Sequence, residues 1–157
     1  MRAGIKAHLQ GFTSERQDGA LIGPFAPMLR LPEYGQPVWD LIAASQHTTL
    51  PKPAHEVAIL ITGACDRSRY EIDAHGHVAG GGGLSPFKIA SLVAGERTSN
   101  MTREEAVSYD VAACLSRGAQ LPETTYQAAC AVFGAQGIAE LVYLVGAYCL
   151  VSVMLNA

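Results

Sequence analysis

The densest group of chemistry-bearing side chains is the run RSRYEIDAHGH at residues 67–77. On a helix, Glu71 and His75, four residues apart, share one face, and Ser68, three residues before Glu71, joins them. A carboxylate beside an imidazole is a workable acid–base pair. Histidine titrates near neutrality, and the carboxylate fixes its tautomer or raises its proton affinity. Glu56 is the only acid in the apolar stretch HEVAILITGA at 55–64. An acid there is costly unless paired, and it reaches the same point if the two segments are antiparallel helices. Ser68, Arg67, Arg69 and Tyr70 are the candidate substrate contacts, the arginines because a guanidinium can hold a carboxylate. The plain alternative is a surface Glu71–His75 pair flanked by solvated arginines.

Other groupings point away from metals and phosphates. His75 and His77 project about 200° apart on a helix and cannot share an ion, so no metal or other cofactor is expected. The four glycines at 80–83 lack the Gly-Lys-Ser/Thr ending and the preceding strand of a phosphate loop. They read as a helix break. Cys65 lies beside the cluster as a candidate reactive thiol. Cys114, Cys130 and Cys149 fall on apolar faces, as small core residues do. No two of the four cysteines form a close pair, so a disulfide framework and a zinc ribbon are unsupported. Reduced thiols and a cytoplasmic location are expected.

These residues must be positioned by helices. Pro24, Pro27, Pro32 and Pro37 punctuate the N-terminal stretch. Residues 1–35 read as an irregular, extended arm before a short helix at about 38–45. Helices are then expected at about 53–64, from 66 or 68 to 79, and over PFKIASLVA with Ser85 as N-cap and Pro86 at its first position. Gly95 ends that helix. Thr102 and Glu105 make a capping box for the next, which closes before Gly118. One more runs from about Pro122 to Phe133, and an apolar helix from Ile138 to Asn156 finishes the chain. A buried strand at VAILIT is the one ambiguity, and the helical neighbours favour a helix there too.

Length and composition bound the rest. The 157 residues suit a single domain. Hydrophobic residues make up 49% and charged residues 16%, so a well-stocked core is expected together with apolar surface hidden by other subunits. The net charge of −3 argues against a nucleic-acid partner, which calls for a basic face. The N-terminus lacks the apolar region of a secretory leader. The run Ile138–Leu155 carries one charge, Glu140, in eighteen positions and reaches the lower limit for a membrane span. It has no basic flank. A helix buried on all sides, in a core or an oligomer, is expected rather than a membrane span.

In four places the chain resembles the carboxymuconolactone decarboxylase family, related to the alkylhydroperoxidases. GPFAPMLRLPEYG (23–35) is similar to the family's opening segment, and HEVAILITGA (55–64) to its R-E-L-A-I-L helix. RYEIDAHGHVAGGGGLS (69–85) resembles its Y-E-W-x-x-H…G-L-S block. LVYLVGAYCLVSVMLNA (141–157) resembles its closing helix, beyond which family members commonly extend. The resemblance implies an all-α, alkylhydroperoxidase-like fold of six or seven helices, assembled as a homo-oligomer, a trimer or hexamer. It places the family's glutamates and histidine at Glu56, Glu71 and His75.

The chain also departs from the pattern. Ser68 and Glu71 stand where the peroxidase branch has its C-x-x-C, and a thiol–disulfide cycle needs two exchanging sulfurs. Ile72 replaces a tryptophan, and His55 an arginine. The resemblance therefore implies a cofactor-independent lyase, decarboxylase-like, acting on a small carboxylated or lactone-like molecule by His75 proton transfer with Glu71 or Glu56 as partner. The alternatives are an isomerase or cyclase on the same scaffold, a hydroperoxide reductase using Cys65, and a non-catalytic binding or assembly protein.

Overall fold

Proline and glycine placement sets the helix boundaries. The computed structural model describes residue 12 and residues 14–157. Among them, seven helices succeed one another: α1 Phe25–Arg30, α2 Pro32–Ser45, α3 Lys52–Cys65, α4 Arg69–Gly81, α5 Pro86–Val93, α6 Arg103–Ser116 and α7 Glu123–Asn156. The fold is all-α. Among the described residues the sole extended pairing is an isolated antiparallel bridge between Glu15 and Leu21.

Residues 25–35 are helical apart from the junction at Leu31, which corrects the expectation of an extended arm up to residue 35; its first eleven residues and residue 13 lie outside the described chain. The prolines mislead because of where they fall. Pro27 lies in the first turn of α1, and Pro32 opens α2. Backbone N–H groups there have no intrahelical acceptor, so proline costs little. Of the four N-terminal prolines, only Pro37 sits past the first turn of its helix. The two helices meet closely at Gly35, where a side-chain methyl would collide with the Met28 carbonyl.

The local signals further along the chain form as expected. Ser85 accepts a hydrogen bond from Lys88 N at 3.3 Å. Thr102 and Glu105 form a complete capping box. Glu105 Oε2 also accepts from Lys88 Nζ at 2.6 Å, which ties α5 to α6. Gly95 (φ 76°) closes α5, with Gly95 N donating to Leu92 O and Glu96 N to Ser91 O. This is the paired bonding of a left-handed C-cap. Gly134 (φ 71°, ψ 176°) breaks α7 into two segments, in a region of backbone space open essentially to glycine alone.

α3 is the central element. Every residue from Ala54 to Gly63 is buried, and α4, α5, α6 and α7 all pack on it. A helix that is apolar all round belongs in a core, and the strand alternative for this stretch is excluded. A second, smaller core joins Phe25, Met28, Trp39 and Ile42 of α1 and α2 to Ala74 and Val151. Phe25 and Trp39 meet edge to face at 6.2 Å.

Within a single chain the closing segment of α7 buries one side only. Leu141, Leu144, Tyr148 and Val151 face the core. On the opposite side Tyr143 is 69% exposed and Val153 65%. By length and composition α7 could cross a membrane. The charge on this segment is tied down locally. Glu140 Oε2 accepts from Thr48 Oγ1, Thr49 N and Thr49 Oγ1 at 2.7–2.8 Å, which fastens the α2–α3 loop to α7.

The α1–α2 contact gives a direct test. Gly35→Ala should destabilise the fold by about 1–3 kcal/mol, as overpacking does, measured as a lower urea midpoint with an unchanged slope.

Candidate active site

α3 and α4 pack side by side, joined by a tight turn. Ser68 N donates to Gly63 O at 2.9 Å and Arg67 N to Ala64 O at 3.3 Å. This is again a left-handed C-cap, but with Arg67 (φ 55°) where glycine is usual. The turn directs α4 back along α3, so that His75 meets Glu56.

Glu56 Oε2 lies 3.0 Å from His75 Nδ1, and its Oε1 lies 3.3 Å from His55 Nδ1. All three residues are buried. Burial pushes the Glu56 carboxyl up, but the hydrogen bonds and charge of His55 and His75 outweigh it and hold the pKa down at about 2. An ionised carboxylate only accepts, so each Nδ1 donates to it. His75 is thereby oriented with Nε2 facing away from Glu56, and its ring stands edge to face on Tyr148 at 5.0 Å.

Glu71 is buried too, so the surface-pair alternative fails. Its partner is Ser152 of α7, whose Oγ donates to Glu71 Oε2 at 2.6 Å. Burial drives the Glu71 pKa up to about 8. The Ser152 and Ser68 hydroxyls temper that rise, and the charge of Asp66 adds to it. Ser68 is near enough for this effect, but Ser68 Oγ and Glu71 Oε1 make no well-formed hydrogen bond. Glu71 is therefore a neutral acid at pH 7, while Glu56, one helix away, is an anion.

His75, Glu71, Tyr70 and Tyr148 line a cavity of about 20 Å³ that Phe25 and Ile42 of α1 and α2 help close. That is room for one water molecule. Burial raises the Tyr70 hydroxyl to about 12, and its oxygen has no hydrogen-bond partner among the described residues. Tyr148, fully enclosed, is pushed well above the usual tyrosine range by burial and by the charges of Glu56 and Glu71.

The remaining candidates divide. Ser68, fully buried at the head of α4, sits behind Glu71. Arg67 and Arg69 are not brought to the cavity. Arg67 is exposed and is used by the turn. The Arg69 side chain is 94% exposed and faces Asp73 at 3.8 Å. Cys65 is half-buried, a free thiol like the other three cysteines, and does not line the cavity. His77 is exposed on α4. Among the described residues no group of three or more His, Cys, Asp or Glu is placed to hold a metal.

Sequence reasoning missed His55, Tyr148 and Ser152. Polar side chains on otherwise apolar helices were the available signal. No protein-family model matches the chain, and no curated protein matches it.

The geometry of α4 and its turn makes two tests possible. Because native Glu71 keeps its proton between pH 4.5 and about 8 while the unfolded chain loses it, its contribution to stability is complete below pH 4.5. That contribution fades as pH rises toward 8. Glu71→Gln should flatten this part of the stability–pH curve, read from urea midpoints. Arg67→Gly should preserve stability or add up to about 1 kcal/mol, since the left-handed conformation is free of strain for glycine.

Proposed function

We propose that this chain is a cofactor-independent acid–base enzyme, a decarboxylase-like lyase for a small carboxylated or lactone-like molecule. The observation that carries the reading is the buried Glu56–His75 pair, 3.0 Å apart, whose His75 lies on the wall of a cavity shared with a neutral Glu71. A buried imidazole braced by a carboxylate is a proton-transfer group. A carboxylic acid kept neutral by burial is a hydrogen-bond donor to a developing oxyanion.

In this reading the substrate's C–C bond to its carboxylate breaks and CO₂ leaves. The electron pair passes into the adjacent conjugated carbonyl, and the enolate oxygen takes the hydrogen bond from Glu71. The imidazolium of His75 delivers its proton to carbon, and Glu56 stabilises that imidazolium. One proton is consumed and one C–H bond forms per CO₂ released. Phe25 and Tyr70 must give way for a substrate to enter, because the closed cavity holds one water. The exposed apolar face of α7 supports assembly as a homo-oligomer. Cys65, away from the cavity wall, leaves the hydroperoxide reductase reading without support.

The test is CO₂ release from a panel of carboxylated five-membered lactones. His75→Gln should lower turnover by about 10²–10⁴-fold, the usual worth of a general acid–base group, with the helical circular dichroism unchanged. Equal turnover in parent and variant would overturn the mechanism. Release from no compound in the panel would assign the buried residues to a structural network instead.

A further inference from the structure

Glu56 serves a second imidazole, on a residue that borders more space than His75 does. His55 is 4% exposed. Its Nδ1 is held by Glu56 Oε1 at 3.3 Å. Its Nε2, on the far side of the ring, is buried with no hydrogen-bond partner among the described residues. Leaving such an atom unpaired is costly, and buried orphans of this kind call for an explanation. His55 lines two adjoining clefts of about 180 and 240 Å³, against about 20 Å³ at His75.

The chemistry of the clefts selects the ligand. In the ring's neutral form, Nδ1 donating to an ionised Glu56 leaves Nε2 a bare acceptor. The hydroxyls nearby are already committed. Thr48 donates to Glu140, and Ser45 donates to Ile42 O, both at 2.7 Å. Carboxylates (Glu56 and Glu140) border the clefts, with His47 on one side and exposed Lys52 on the other. This array has an acceptor to offer and few donors for an anion. Leu41, Tyr143 and Leu144 supply an apolar wall.

We propose that His55 and Glu56 form a second ligand site, separate from the His75 cavity, in which His55 Nε2 accepts a hydrogen bond from the hydroxyl of a small, neutral molecule with an aromatic or apolar body. The site does not depend on the decarboxylase reading. It rests on the geometry of His55 and the clefts.

The experiment uses the full chain labelled with ¹⁵N-histidine, at about pH 8, above the value of a free imidazole. Phenol is the probe, with anisole and benzoate as controls. The ring-nitrogen resonances should show His55 protonated at Nδ1 and bare at Nε2. Phenol should move His55 Nε2 saturably and leave His75 in place. Anisole, which has no hydroxyl to donate, should bind about tenfold more weakly. His55→Asn, which keeps an amide donor near Glu56 but has no Nε2 acceptor, should lose the phenol preference. If that variant does not fold, the wild-type comparison of phenol with anisole decides. The proposal is overturned by a proton on His55 Nε2, by equal binding of phenol and anisole, by a preference for benzoate, or by phenol shifting His75 instead. None of these readouts depends on turnover, so they stand or fall apart from the decarboxylation assay.

Discussion

An ionised carboxylate buried in the most enclosed helix of the fold organises everything around it. Glu56 sits within an unbroken run of buried residues on α3, with helices packed on several sides. Its charge survives there because two imidazoles donate to it, one from its own helix and one from α4. Removing one partner of such a buried group costs about 3–5 kcal/mol. The approach of α4 to α3 is therefore part of the electrostatics as well as the hydrophobic contact. The strained residue in the turn between them, Arg67, is tolerated because that turn fixes where His75 arrives.

The parts of this architecture that the sequence makes legible are those whose causes are local. The Ser85–Pro86 start, the Thr102–Glu105 box and the Gly95 stop each lie within four residues of what they control, and each forms as expected. α1 and the opening turns of α2, before the helix legible at 38–45, are hidden by their prolines, because proline in a first turn and proline in a loop leave the same trace in a sequence. That matters for the site, since Phe25 and Ile42 from those helices close the His75 cavity. Spacing places Glu71 and His75 on one side of α4, but it cannot assign their partners. Glu71 is met by Ser152, 81 residues further along. His75 is met by Glu56, 19 residues before it. His55 reads in the sequence as a mere departure from the family's arginine, and only the antiparallel placement of α3 and α4 reveals two rings on one carboxylate.

The excess of apolar residues is similarly divided. α7 contributes Leu141, Leu144 and Val151 to the core while presenting Tyr143, Leu150 and Val153 outward. Composition registers the sum of the two faces and cannot separate them. Glu140 is accommodated within that helix by the hydroxyls of Thr48 and Thr49, together with Gln136. These oppose the effect of burial and hold its pKa at about 2. The same contacts hold the α2–α3 loop beside His55, so the one charge on the apolar segment also shapes the wall of the second cleft.

Two carboxylates on neighbouring helices thus take opposite protonation states for a countable reason. Glu56 and Glu71 are equally buried, so desolvation pushes both upward. Glu56 receives donors on both oxygens from groups that can carry positive charge. Glu71 has one well-formed hydrogen bond, from a neutral hydroxyl, and the charge of Asp66 acts against its ionisation. The number and charge of the donors therefore decide which acid ionises. His75 lies between the two, with Nδ1 on the Glu56 carboxylate and its ring on the cavity wall that Glu71 shares, so the donor count on each acid also sets the field in which the imidazole sits.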